Sequence, residues 1–527
     1  MKKETEEGKV EYKLRLNAQT EERLQKLATQ LAYRLGEGGG EAFYELGVSD
    51  DGEPLGLTEE EAKESFKVME QITKTVGASF IVIRKEKAKR GYVYELLVRK
   101  TVDYPPIQIS VALLGNVDAG KSTLKGVLIY GTLDDGDGKA MSLVAKYLHE
   151  LKFRRSSSVS VHVLGFNEMG ESINDSLRTY DEAKVYLEGS KIVTLIDLAG
   201  HERYLKTTMR GVLGHLPDYT CMVVGANAGP IGTFREHLGM TVALGIPCFV
   251  VVTKVDMTPQ EVLEKNLDKV IRLLKLPGIN KIPFIIRSKN DAAIAARHMP
   301  HGRVAPIFLI SNVTGQGLRE LKAFLNMLPP KIDWHEKAKG KFLCYIDEKF
   351  DVSGVGLVVA GLVEEGAVKS GDRVLLGPFD DGSFRTVRVK SIEVNRVRVE
   401  RAEAGQIAAY AITNAKYEEI RRGMVLLDLD ATPVAVRKFR AHIRVLHHPT
   451  TIKVGYEPVI QMKTIRQAAR LVNTTKKFLR SGDTDMVEFY FILRPEFVRT
   501  GDVFFFREGR TKGIGTVVGI SGSTTAQ

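Results

Sequence analysis

The stretch Gly115-Asn116-Val117-Asp118-Ala119-Gly120-Lys121-Ser122 spaces its glycines and its Lys-Ser pair as GxxxxGK[ST]. Residues of these types at this spacing bind phosphate. Glycines let backbone N–H groups turn inward, a following helix offers its positive N-terminus, Lys121 reaches the β- and γ-phosphates, and the Ser122 hydroxyl ligates Mg²⁺. Thr123 follows in the same run, so Gly115 to Thr123 form the candidate phosphate site. Farther on, Asp197-Leu198-Ala199-Gly200 can hold Mg²⁺ through Asp197 and sense the γ-phosphate through the Gly200 N–H. His201 comes next, where an attacking water must lie, and is the candidate catalytic residue.

A second pair of stretches bears on the base. In Thr253-Lys254-Val255-Asp256, the Asp256 carboxylate can accept from N1–H and the 2-amino group of guanine while the Lys254 stem packs on the ring. Adenine offers no such donor pair, and a buried carboxylate left unpaired by the wrong base discriminates by as much as about 10⁴ to 10⁵. Ser311-Asn312-Val313, opening "SNVTG", would meet guanine O6 through the backbone N–H of Asn312 or Val313. The expected cofactors are GTP or GDP with Mg²⁺. A phosphate-loop ATPase or kinase conflicts with Asp256.

These residues need strands to end on. "IQISVALLG", "KIVTLIDLAG", "YTCMVVGAN", "PCFVVVTKVD" and "APIFLISN" are almost continuously apolar and alternate with helical segments, which predicts a doubly wound parallel sheet with ligands at its carboxyl edge over residues 105–333. Residues 1–104 read as a small α/β accessory module. Its strands "EYKLRLN", "EAFYELGV", "ASFIVIR" and "YVYELLVRK" surround two helices, the second opened by a capping box at Thr58 and Glu61. From residue 334 helical periodicity fades into short strands and Gly turns, predicting two β-barrels, 334–431 and 432–527.

Of 527 residues, 43% are apolar and 27% charged, with a net charge of +11. Residues 431–480 hold eleven Lys/Arg against one acid, Glu457. A surplus of this kind points to an acidic polymer, with RNA first. The start "MKKETEEGKVEYKLRL" lacks the apolar core of a signal peptide, no apolar run approaches a membrane span, and a cytoplasmic location is expected. Cys221, Cys248 and Cys344 lie far apart in apolar runs and read as buried free thiols. His215, His237, His447 and His448 lack metal-ligand spacing and read as packing or surface residues.

"GNVDAGKSTLKGVL", "DLAGHERYLKTTMRG" and "TKVD" together resemble the translational GTPases, elongation factors 1-alpha and Tu among them. "HLPDYTCMVVGANAGPIGTFREHLGMTVALGIPCFVVVTKVDM", "FLISNVTGQGL" and "FREGRTKGIGTV" are more closely similar to the GTP-binding protein 1 family, over nearly the whole chain. The resemblance implies a GTPase domain and two barrels like elongation-factor domains 2 and 3. It also implies engagement of aminoacyl-tRNA or other RNA and the ribosome, with hydrolysis as the release switch, and a monomer. An RNA-surveillance or mRNA-turnover adaptor, in which GTP mainly controls conformation, is the alternative. Asp118 matches an aspartate that can hold a monovalent cation. "FRRSSSVSVHV", linker-like in composition, takes the place of the effector loop. There Ser158 keeps the hydroxyl of the family's metal-binding threonine, while Ser157 replaces an isoleucine that helps gate the histidine. Either Val159 rebuilds that gate or His201 is restrained differently.

Overall fold

The alternating strands near the N-terminus have two faces, and each face finds a different partner. In the computed structural model, which describes residues 9–18, 20–101, 106–144, 159–177, 179–198, 211–508 and 511–522, four strands make the first sheet. These are β1 (Val10–Lys13), β2 (Glu41–Leu46), β3 (Ala78–Ala88) and β4 (Gly91–Lys100), in the order β1-β2-β4-β3. β1 and β2 run parallel through the crossover helix α1 (Glu21–Glu37), and β3 and β4 form an antiparallel hairpin. Helix α2 (Glu59–Thr75) opens at the expected capping box. Thr58 Oγ1 accepts from the Glu61 N–H at 3.3 Å, and the Glu61 carboxylate accepts from the Thr58 N–H at 3.0 Å.

Ala42, Tyr44, Leu46, Leu96 and Val98 pack against Leu31, Leu35, Met69 and Ile72 as the core of this module. Phe43 and Leu97 alternate with them and, with Ile81 and Ile83, join the core of the second sheet. β4 is therefore buried on both faces from Val93 to Arg99.

The second sheet contains β5 (Ile107–Gly115), β6 (Ser160–Phe166), β7 (Lys191–Asp197), β8 (Tyr219–Gly225), β9 (Cys248–Thr253), β10 (Ile282–Ile285) and β11 (Val304–Leu309). Their order is β10-β11-β9-β8-β5-β7-β6. The sheet is parallel except at its edge, where β6 runs antiparallel to β7. β6 and β10 are additions to the expected strands. β6 begins inside the serine-rich stretch, where an edge strand with one neighbour tolerates polar residues. Helices α3 (Lys121–Tyr130), α4 (Lys139–Val144), α5 (Glu182–Glu188), α6 (Phe234–Ala243), α7 (Gln260–Lys275) and α8 (Lys289–His298) lie between the strands in the chain, and α9 (Leu318–Met327) follows the last of them. β7, β8 and β9 are buried along their whole length, as strands covered on both faces must be.

The described residues up to 198 form one compact unit with 217–331, and residues 211–216 form a second with 332–522. In the second unit, strand Arg373–Gly377 pairs with both Val425–Asp428 and Arg385–Val394, closing an antiparallel barrel. A second barrel closes through Ala435–His447, which pairs with both Thr484–Phe491 and Thr511–Gly522. Between these barrels Lys463 Nζ meets both Glu364 carboxylate oxygens, at 2.8 and 2.9 Å, and Arg421 meets Glu496 at 2.7 Å. The three cysteines are buried free thiols, as their apolar surroundings predict. Burial pushes Cys248 up to about 11 and Cys344 up to about 12. Among the described residues no helix is long and apolar enough to cross a membrane.

Candidate nucleotide site

The phosphate loop is held open by positions that only glycine fills. Gly115 has φ 151°, and a Cβ there would stand 2.2 Å from the Val223 carbonyl oxygen on the neighbouring strand. Gly120, with φ 83°, turns the chain into α3, so the N-terminal turn of that helix presents Lys121, Ser122 and Thr123 at the loop. Asp118 adopts φ 59° and is exposed at the tip.

Lys121 is buried and donates to the carbonyls of Gly115 at 3.2 Å and Asn116 at 2.7 Å. Burial lowers its pKa, opposed by the carboxylates of Asp197 and Asp118. Asp197 ends β7 opposite Leu113 of β5, which places it beside the loop. Ser122 Oγ donates to Asp197 Oδ2 at 2.8 Å, bringing together two of the three residues expected to hold the metal.

The base-selecting stretches end on adjacent strands. β9 and β11 pair in parallel, the Ile310 N–H donates to the Val252 carbonyl at 2.8 Å, and Lys254 and Ser311 thus emerge side by side. Asp118, Ala119 and Lys254 border one cavity of about 80 Å³ together with Val224, Gly225 and Ile231, so the phosphate loop and the base strand meet. Three details change the roles expected. Thr253 is fully buried, and its hydroxyl donates to the Ala119 carbonyl at 2.8 Å, tying β9 to the phosphate loop rather than facing a ligand. Asp256 is exposed, so its discrimination depends on a base covering it. The Val313 N–H donates to Ser311 Oγ at 3.1 Å, which leaves Asn312 as the better-placed N–H for guanine O6.

Two residues escaped the sequence reading. Lys125, one turn beyond Lys121 and 1% exposed, approaches Asp197 Oδ2 at 3.4 Å and donates to Ser160 Oγ at 2.5 Å. It joins the Asp197 carboxylate to the strand that begins in the serine-rich stretch. A lysine inside the apolar helix "STLKGVLIY" was the available signal. Asp134 accepts from the N–H groups of Ala140 and Gly136, while its own N–H donates to the Asn312 carbonyl at 2.9 Å, bracing the base loop. Gly200, His201 and Ser158 lie outside the described residues. His237 is buried, and burial first, with nearby Lys121 adding to it, pushes its pKa down to about 3, a neutral packing residue as expected.

Part of the basic excess lies on one side of strand Ala435–His447. Arg440, His442 and Arg444 are exposed at every second position, about 7 Å apart. Their cross-strand neighbours are Glu488, Met486 and Thr484. Lys438 pairs with Glu488 at 2.9 Å beside the exposed ring of Tyr490.

Residues 107–331 match the family description Elongation factor Tu GTP binding domain, and residues 356–427 match Elongation factor Tu domain 2. The chain is 42% identical to GTP-binding protein 1 of Xenopus laevis over 507 residues, 95% of this chain and 77% of that one. It is 40% identical to GTP-binding protein 2 of Mus musculus over 538 residues, covering 99% and 89%. Among solved structures, translation elongation factor SelB from Methanococcus maripaludis, in complex with the GTP analogue GppNHp, has a TM-score of 0.57. It is 19% identical over 79% of this chain and 80% of that one, a likeness of fold.

Proposed function

Because the chain belongs to the GTP-binding protein 1 and 2 family of elongation-factor-like GTPases, we propose that it is a GTP-driven switch in translation that engages aminoacyl-tRNA and the ribosome and releases them on hydrolysis. The observation that carries the reading is the convergence of Lys121, Ser122 and Asp197 at one loop that Thr253 ties to the base-selecting strand. In this reading the backbone from Gly115 to Thr123 cradles the phosphates, Lys254 and Asp256 select guanine, and Asn312 meets its O6. The hydroxyl and carboxylate at 2.8 Å form an all-oxygen donor pair that fits Mg²⁺, with Ser158 as a further ligand and Asp118 facing a monovalent cation. Mg²⁺, when bound, offsets the charge on the β- and γ-phosphate oxygens.

His201 orients a water for in-line attack on the γ-phosphorus. The bond to the β–γ bridging oxygen breaks, GDP leaves, and the water's proton passes to the phosphate released. Gly200 loses its contact with the γ-phosphate, and the effector stretch is freed. The test is GTP hydrolysis with and without ribosomes and aminoacyl-tRNA. Basal turnover on the order of 10⁻⁴ to 10⁻² s⁻¹ is expected, strongly accelerated by ribosomes. A His201→Ala chain as fast as wild type on ribosomes sinks the catalytic assignment.

The exposed row of Arg440, His442 and Arg444, with its two guanidinium groups, supports RNA contact through phosphates. It also favours the second reading, an RNA-surveillance or mRNA-turnover adaptor. RNA binding that responds to GTP, with no ribosome stimulation of hydrolysis, selects that reading instead.

A further inference from the structure

Beside the apolar contacts of Phe43 and Leu97, the joint between the N-terminal module and the second sheet carries buried charge. Glu41, Arg99 and Lys191 are each at most 1% exposed, and one Glu41 oxygen accepts from Arg99 Nε at 3.1 Å and Nη2 at 3.0 Å, with Lys191 Nζ 3.9 Å away. Both cations continue to the same helix end. Arg99 donates to the Asn326 side chain and to the Asn326 carbonyl, each at 2.5 Å, and Lys191 donates to the Leu328 carbonyl. These carbonyls end α9, where orphan acceptors and the negative pole of the helix favour cations. α9 begins at Leu318, directly after the base loop of Ser311 to Gly317. α8 is gripped as well, by Glu45 of β2 on Arg297 and by the Lys85 carbonyl on Asn290 at 3.1 Å.

We propose that Arg99 and Glu41 are positioning residues for nucleotide retention: they fix the C-terminal end of α9, whose other end carries the guanine loop, and so slow release of bound nucleotide. This rests on the GTPase reading above and assigns the module a role within the unit. A single rigid helix connects the two ends, so freedom at Asn326 reaches Ser311 to Gly317.

Release of a fluorescent GDP analogue from the full chain tests this, with melting temperature measured beside it. Arg99→Met is expected to release GDP about tenfold faster, within the usual range of coupling between sites. Arg99→Lys, which keeps the charge and loses the forked contact, should fall between it and wild type, and stays informative if Arg99→Met fails to fold. Arg34→Met breaks the Arg34–Glu11 pair inside the module, away from α9, and should lower the melting temperature without changing release. Wild-type release from both Arg99 variants overturns the proposal while the GTPase reading stands. Equal acceleration by Arg34→Met also overturns it, since the effect is then general loosening. A wild-type chain that retains no GDP overturns both.

Discussion

Two clusters of buried charge in the first unit are built on opposite plans. At the module joint Glu41, Arg99 and Lys191 face one another and the carbonyls of α9, a set complete without a ligand. At the phosphate loop Lys121 donates to backbone carbonyls, and among the described residues no carboxylate lies within ion-pair distance of it. A buried ammonium held by carbonyls alone is an incomplete arrangement, whereas Lys191, whose pKa burial also lowers, to about 7, has the Glu41 carboxylate beside it. Charges that satisfy each other build structure, whereas charges left short of a partner await one. In the function proposed above, phosphate supplies what the second cluster lacks.

The contrast breaks most sharply at the lysine. Lys121→Met should weaken GTP binding by about 10³ to 10⁴, about 4 to 5.5 kcal/mol, without lowering the ligand-free melting temperature. Titration calorimetry and thermal melting read both, and an equal loss of fold stability would erase the distinction. The joint should behave in the opposite way. Glu41→Leu leaves the buried Arg99 guanidinium without its acid and should cost about 3 to 5 kcal/mol in ligand-free denaturant unfolding. Replacing Glu41, Arg99 and Lys191 together by Leu, Met and Met should return much of it, since Lys9, the remaining partner of Glu41, reaches solvent and no fully buried charge is left alone.

Acid sharpens the same point. Burial pushes the Glu41 carboxyl up, but Lys191, Lys9 and Arg99 together outweigh it and hold the group at about 2. A depressed carboxyl contributes stability that is complete above its unfolded value near 4.5 and is lost as pH falls toward 2. Hydrogen exchange at β2 and β4 should rise across that window in wild type and not in the triple variant. Thr253→Val, which removes the hydroxyl on the Ala119 carbonyl, should cost about 1 kcal/mol and loosen GTP a few-fold. The smallest effect is expected at the barrel, where Arg440→Glu with Arg444→Glu should lower the salt slope of RNA affinity by about 2. An unchanged slope would place the RNA elsewhere.

Much of the nucleotide site was legible because its chemistry is local. Glycine spacing, the Lys-Ser pair and a carboxylate at a strand end are short-range requirements, and Gly115, Lys121, Ser122 and Asp197 meet where the motif puts them. Lys125 and Thr253 were harder, because a lysine in an apolar helix and a threonine at a strand end acquire their roles only from partners on other strands, Ser160 and Ala119. The joint was hidden altogether. Glu41, Phe43 and Glu45 on β2, with Glu95, Leu97 and Arg99 on β4, mix charged and apolar residues on one face, and nothing in that alternation names a partner for it.

By itself, then, the sequence determined five strands of the second sheet, the phosphate-loop spacing and the buried thiols, since each depends on neighbours along the chain. Only the tertiary structure decided that the charged face of the first sheet is buried, that Arg99 and Lys191 cap one helix from two elements, and that the serine-rich stretch runs into an edge strand bonded to α3. Alternation fixes which residues share a face, but what covers that face depends on residues more than two hundred positions away.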